Sequence, residues 1–141
     1  MLNRYLLSLA SLLLCPSILM AGDLTVKVGG LKNSAGSIRI ALHDGEAGFP
    51  NKRAPFAAQA RKSSQGGVRF VFTDLEPGSY AVSLFHDDNG NGKRDVNLVG
   101  LPIEGYGFSN NATGTFGPAS FADARFEMPA ADLKIAVTVS Y

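Results

Sequence analysis

A chain of 141 residues with 13 basic and 12 acidic side chains, 16 glycines, 7 prolines and one cysteine has the length of one ordinary domain. The near balance of charge excludes the basic excess that nucleic acid, or electrostatic docking on anionic lipid, demands. A single cysteine excludes an internal disulfide framework.

The first 21 residues read as a signal peptide. Arg4 supplies a short positive region, residues 6–14 are apolar, and residues 17–21 offer small side chains for cleavage near Ala21. The apolar run is shorter than the ~20 residues that cross a bilayer. Cys15 follows it as a lipidated cysteine does, but Leu12, Leu13 and Leu14 leave no small residue directly before it. Cleavage is expected to leave residues 22–141 as one periplasmic or secreted domain with no transmembrane segment. Without Arg4 that domain carries 12 basic and 12 acidic residues, and without Cys15 it carries no cysteine. Its stability is then expected from packing, helped by a bound ion, rather than from disulfides.

Residues 23–28 alternate Leu24, Val26 and Val28 with Thr25 and Lys27, a period-two strand. After Gly29-Gly30 and a turn at 33–36, residues 37–43 alternate again, with Ile38, Ile40 and Leu42 opposite Arg39, Ala41 and His43. Their closeness in sequence predicts a hairpin between the two. Residues 45–65 are irregular, and Pro50 and Pro55 exclude a long helix or a central strand. Residues 57–62 fit an edge strand or a helical turn. Val68, Phe70 and Phe72 share one face of the next strand, and the turn DLEPG at 74–78 leads into another with Tyr80, Val82 and Leu84 inward. The loop HDDNGNGKRD follows at 86–95. Residues 96–116 read as a Gly/Asn-rich loop, 121–128 as a strand, and 133–141 as a closing strand. No window carries a helical apolar period. About seven short strands with Gly/Pro turns predict an all-β antiparallel sandwich of the immunoglobulin or transthyretin kind. A closed outer-membrane barrel is the rival, but its strands need ~9–11 residues and an apolar outer face. Lys27, Arg39 and Arg69 occupy that face here.

The run EPGSYAVSLFHDDNGNG is similar to transthyretin-like and carboxypeptidase-regulatory-like sandwiches, in which a Pro-Gly turn precedes a strand bearing a Tyr. HDDNGNGKRD and EGYGFSNN, followed by FGPASFADARF, resemble a family of small exported bacterial proteins catalogued as domain of unknown function 2141. The resemblance spans most of residues 22–141. It implies a secreted β-sandwich and assigns no activity and no functional residues.

The loop at 87–95 has the spacing of a calcium loop. Such loops place oxygens at positions 1, 3 and 5, glycine at 6, a backbone carbonyl at 7 and a further ligand at 9. Counting from Asp87 gives Asp87, Asn89, Asn91, Gly92, the Lys93 carbonyl and Asp95. Position 12 is Leu98 where a bidentate Glu belongs, and Glu104 is the nearest substitute. Two formal charges beside Lys93 and Arg94 predict weak binding, about 10⁻⁴–10⁻³ M. The competing reading is a plain turn, since both Asn-Gly pairs favour tight reversals. His43 and His86 end comparable strands and, if those strands lie side by side, form a paired site for Zn²⁺ or Cu²⁺. The alternative is two separate rim histidines. Tyr106, Phe108, Asn110 and Asn111 suit a sugar- or peptide-binding loop, against the reading that the aromatic rings pin the loop to the core.

No cysteine nucleophile lies in residues 22–141, and no G-x-S-x-G elbow or phosphate loop is present. A non-catalytic binding or accessory module of the bacterial envelope is the expected function, with calcium as the one expected cofactor. Its partner is an unidentified ligand or envelope protein. The alternative is an assembly component acting through a sheet edge. A small hydrolase would require a cleft joining one histidine to a nucleophile.

Overall fold

In a computed structural model, residues 20–141 are described. The expected signal peptide, Cys15 included, lies outside them except for its last two residues. Eight strands form two sheets: β1 (Gly22–Gly29), β2 (Ser37–His43), β3 (Ala57–Lys62), β4 (Val68–Leu75), β5 (Gly78–Asp87), β6 (Tyr106–Phe108), β7 (Phe126–Met128) and β8 (Leu133–Thr138). A four-residue helix, α1 (Phe121–Ala124), precedes β7. The three-stranded sheet runs β4-β1-β8. The five-stranded sheet runs β3-β2-β5-β6, with β7 pairing the start of β5.

Alternation puts the apolar residues between the sheets, because successive side chains on a strand face opposite ways. Leu24, Val26 and Val28 of β1 and Phe70 and Phe72 of β4 meet Ile38, Ile40 and Leu42 of β2 and Val82 and Leu84 of β5 in one buried cluster. The result is a sandwich, not a closed barrel. Its seams are sealed by side chains and a single bridge. Gln59 Nε2 donates to the Val71 carbonyl at 2.7 Å, joining β3 to β4. Arg61, on the core-facing register of edge strand β3, lays its guanidinium 5.8 Å from the Phe70 ring. On the far side Tyr106 and Ser140 exchange backbone hydrogen bonds of 2.9 and 2.8 Å, which tie the segment after β8 to β6.

Three expectations change. β1 and β2 do not form a hairpin: β1 pairs β4 and β8, whereas β2 pairs β3 and β5. Both strands have an apolar inward face, and placing them in opposite sheets lets those faces bury one another. The β1–β8 pair is parallel, so one ladder departs from the antiparallel pattern. Residues 121–128 are not one strand. Ser120 Oγ accepts the Asp123 amide at 3.1 Å, capping α1, and only Phe126–Met128 is extended. Tyr80 Oη donates to the Glu76 carbonyl at 3.0 Å, back across the Pro-Gly turn.

Candidate functional site

β5 organises the candidate site, because the loop at 87–95 leaves its C-terminal end. Asp87 closes the strand fully buried, paired across from Ser37 of β2. Its Oδ2 accepts from Arg39 Nε at 2.8 Å and from the Gly92 amide at 2.9 Å. Position 1 of the loop is thus bonded to the amide of position 6, which draws the backbone into a tight turn. Gly90 (φ 72°) and Gly92 (φ 78°) take the left-handed conformations that this path needs. Burial pushes the Asp87 carboxyl up, but the hydrogen bonds from Arg39 and Gly92 and the Arg39 charge outweigh it. The acid is held below its ordinary value.

The remaining loop residues are bonded to one another. Asn89 Oδ1 accepts the Asn91 amide at 3.0 Å and Asn91 Oδ1 accepts the Lys93 amide at 2.9 Å, two successive Asx turns. Their Nδ2 groups donate to Asp95, at 2.6 Å from Asn89 and at 2.9 and 3.0 Å from Asn91. Leu98, at position 12, is fully exposed. Glu104 does fold back: its Oε2 accepts the Asp95 amide at 2.9 Å. The β5–β6 register pairs Phe85 with Tyr106, and the His86 amide donates to the Gly105 carbonyl at 2.7 Å. The ladder ends there, and Glu104 stands in the bend just before β6. Both carboxylates are buried, and each keeps one oxygen, Asp87 Oδ1 and Glu104 Oε1, with no hydrogen-bond partner. An unpartnered buried carboxylate oxygen is an open acceptor. The oxygen-rich set Asp87, Asn89, Asn91, Asp95 and Glu104, with the Lys93 carbonyl, fits the chemistry of a hard cation. As they stand the carboxylates are spread along the loop: among the described residues no group of three or more His, Cys, Asp or Glu gathers at metal-binding distance.

The loop also borders a groove of about 710 Å³ on the outer face of the five-stranded sheet. Gly92 and Arg94 of the loop, Arg39 and His43 of β2, Ser83 of β5 and Tyr106 of β6 line it, with Arg53 and Phe108. No carboxylate is among its lining residues. Tyr106 is half-buried and Phe108 is buried, packed with Phe49, Ala81 and Ala124 in a second apolar cluster that fixes the 109–125 segment to the sheet. Asn110 and Asn111 do not line the groove. Asn110 Nδ2 donates to the Asp123 and Arg125 carbonyls, and Asn111 Oδ1 accepts the Thr138 amide at 2.8 Å.

His43 and His86 do not form a pair. β2 and β5 are neighbours, but the register sets His43 across from Ala81 and His86 across from Ile38. They stand five residues apart along the ladder, roughly 16 Å, and on opposite faces. His86 is fully buried, and both ring nitrogens are engaged: Nε2 with the Ala35 carbonyl and Nδ1 with Tyr141 Oη, each at 2.7 Å. His43 faces the groove, its Nε2 bonded to Ser83 Oγ at 3.0 Å and its Nδ1 without a partner. The groove therefore does join a histidine to a hydroxyl. No carboxylate holds the free nitrogen, and the ladders of β2 and β6 flank Ser83 on both sides. That arrangement lacks the orienting acid and free amide donors of acyl-transfer sites.

Burial holds the His43 pKa below its ordinary 6.5, against a smaller opposing pull from Asp44. On acidification the unfolded chain takes up this proton first. The stability contribution is complete above 6.5 and declines as pH falls toward the lower folded value. The melting temperature is expected to fall as pH drops below 6.5, and His43→Gln is expected to flatten that part of the profile. Equal slopes in the two proteins would refute the assignment.

Sequence reading did not assign Arg39, Arg53 or Ser83 to a site. The signal was present for Arg39, which the period of β2 places on the same outward face as His43. Arg53 lies in an irregular segment with no period to read.

A family model described as "Uncharacterized protein conserved in bacteria (DUF2141)" matches residues 26–136. Neither a curated protein nor a solved structure matches the chain.

Proposed function

The chain belongs to the DUF2141 family of bacterial proteins, and from that premise we propose that it is an exported, non-catalytic binding module of the envelope. In this reading a calcium ion stiffens the loop at 87–95, and that loop forms one wall of the ligand groove. The carrying observation is the pair of open carboxylate oxygens, Asp87 Oδ1 and Glu104 Oε1, buried at the root of a loop with calcium-type spacing. A divalent cation would give both open oxygens a partner. It would also take Asp95 from the two Asn amide groups, whose oxygen ends would turn inward as ligands. Arg94 and Gly92 belong to both loop and groove, so ion binding would order the groove wall. Arg53 and Arg94, beside the Asp87-paired Arg39, and the lack of a carboxylate among the lining residues suit a ligand bearing an anionic group.

Millimolar Ca²⁺ is expected to raise the melting temperature by about 4 °C over chelator, given weak affinity and one site. Asp95→Asn and Glu104→Gln are each expected to abolish the increase. They are cleaner variants than Asp87→Ala, because Asp87 also holds Arg39 and Gly92. Identical melting curves in Ca²⁺ and in chelator would sink the calcium reading.

Assembly through a sheet edge gains no support from β3, whose open side ends in exposed Arg61 and Lys62, the charged edge that discourages strand addition.

A further inference from the structure

The segment between the cation loop and β6 is a second built feature. Val96, Leu98, Val99, Leu101 and Ile103 supply five of the nine exposed large apolar side chains among the described residues, all within eight positions. Leu98 is 107% exposed, Val99 78%, Leu101 60% and Ile103 61%. Elsewhere such residues stand singly, which is ordinary at protein surfaces. A contiguous apolar tip is not.

This tip is a hydrogen-bonded hairpin. Val96 and Pro102 form an antiparallel bridge, and the Asn97 amide donates to the Leu101 carbonyl at 2.8 Å. Gly100, at φ 82°, donates to the Asn97 carbonyl at 2.9 Å. Asn97 Oδ1 accepts the amides of Val99 and Leu101, each at 3.0 Å, and the Ile103 amide reaches the Asp95 carbonyl at 3.1 Å. Five of the six amides from Asn97 to Ile103, all but that of Leu98, are thus satisfied inside the hairpin, and Pro102 has none to satisfy. A protein partner imposes no such requirement, since it can supply backbone acceptors. A hydrocarbon environment does, because it offers no hydrogen bonds to exposed amides. Lys93 and Arg94, both exposed, stand at the base of the hairpin, where lipid phosphates would lie.

We propose that the hairpin at 95–103 docks this protein on a phospholipid bilayer. Leu98, Val99, Leu101 and Ile103 enter the acyl boundary, and Lys93 and Arg94 face the headgroup phosphates. The charge balance of the whole chain is compatible with this, because apolar insertion drives the docking and the two cations act locally.

The protein has no tryptophan, so Val99→Trp in the full chain gives a single reporter at the tip. Vesicles of phosphatidylcholine with phosphatidylglycerol, in chelator, are expected to shift its emission to the blue and make it quenchable by brominated acyl chains. Chelator keeps the outcome independent of the calcium reading. Adding Leu98→Asp and Leu101→Asp is expected to weaken binding about a hundredfold or more without lowering the melting temperature, since both side chains are exposed. Lys93→Gln with Arg94→Gln is expected to weaken binding to phosphatidylglycerol vesicles and leave pure phosphatidylcholine unchanged. Emission unmoved by vesicles overturns the proposal, as does a shift that survives the two aspartates or appears equally in Phe116→Trp. Burial of the indole by self-association without lipid assigns the hairpin to a second copy of the chain and also overturns it.

Discussion

Phe70→Ala is expected to cost about 3–5 kcal/mol of folding free energy, the range for removing a large aromatic side chain from a packed core. Phe70 is the largest fully buried side chain among the described residues. It lies on β4 across from Val26, and Arg61 covers its ring at the seam between the sheets. Truncation leaves a void that cannot collapse easily, because each sheet is held by its own ladders. No cysteine lies in residues 22–141, so no disulfide limits the loss, and about 5–15 kcal/mol is the total stability of an ordinary domain. Urea unfolding should show a lower midpoint with an unchanged slope. Phe116→Ala, at a fully exposed ring, is the control and is expected to stay within about 0.5 kcal/mol. A loss below about 1 kcal/mol for Phe70→Ala would mean that the two sheets do not pack as described.

The inward faces of β1, β2, β4 and β5 were legible because alternation is a local signal. Leu24, Val26, Ile38, Leu42, Phe70 and Val82 are the buried residues that the period selects. Pairing is not local. Whether β1 sits beside β2 or beside β4 depends on which apolar faces cover each other, and both choices satisfy the same alternation. β6 escaped notice because a three-residue strand has no measurable period. Its place comes from β5 on one side and Ser140 on the other. α1 left a fainter mark: Ser120 followed at three residues by Asp123 is a cap pattern, but four residues cannot show a helical repeat.

The candidate loop divides in the same way. Its spacing from Asp87 to Asp95 is written in nine consecutive residues and could be counted. Glu104 could be named only as the nearest carboxylate, since the fold-back that lets its Oε2 accept the Asp95 amide is a tertiary fact. Arg39 is 48 residues from its partner Asp87, and no short-range pattern announces that pair. The two histidines show the same limit. Similar contexts, Leu-His-Asp and Phe-His-Asp, end adjacent strands, yet antiparallel pairing carries them to opposite ends and opposite faces.

His86→Ala is expected to be the second costly change, at about 2–4 kcal/mol, near the lower part of the range for a large buried side chain. The ring is fully buried and ties three parts of the chain. The Ala35 carbonyl can only accept, so Nε2 carries a proton, and Nδ1 is bonded to the Tyr141 hydroxyl. The turn at 33–36, the end of β5 and the last residue are clasped by one imidazole. Gly36 lies against the Asp87 carbonyl so closely, at φ 61°, that no side chain fits there. Loosening this clasp therefore loosens the floor under the loop. His86→Phe separates the two contributions: it keeps a ring in the site, a somewhat larger one, loses both hydrogen bonds, and is expected to cost about 1–2 kcal/mol. The order of unfolding midpoints should be wild type, then His86→Phe, then His86→Ala. A His86→Ala midpoint equal to wild type would mean that the histidine does not hold the site together. Zn²⁺ or Cu²⁺ is expected to leave the wild-type midpoint unmoved through this residue, because both ring nitrogens are already engaged.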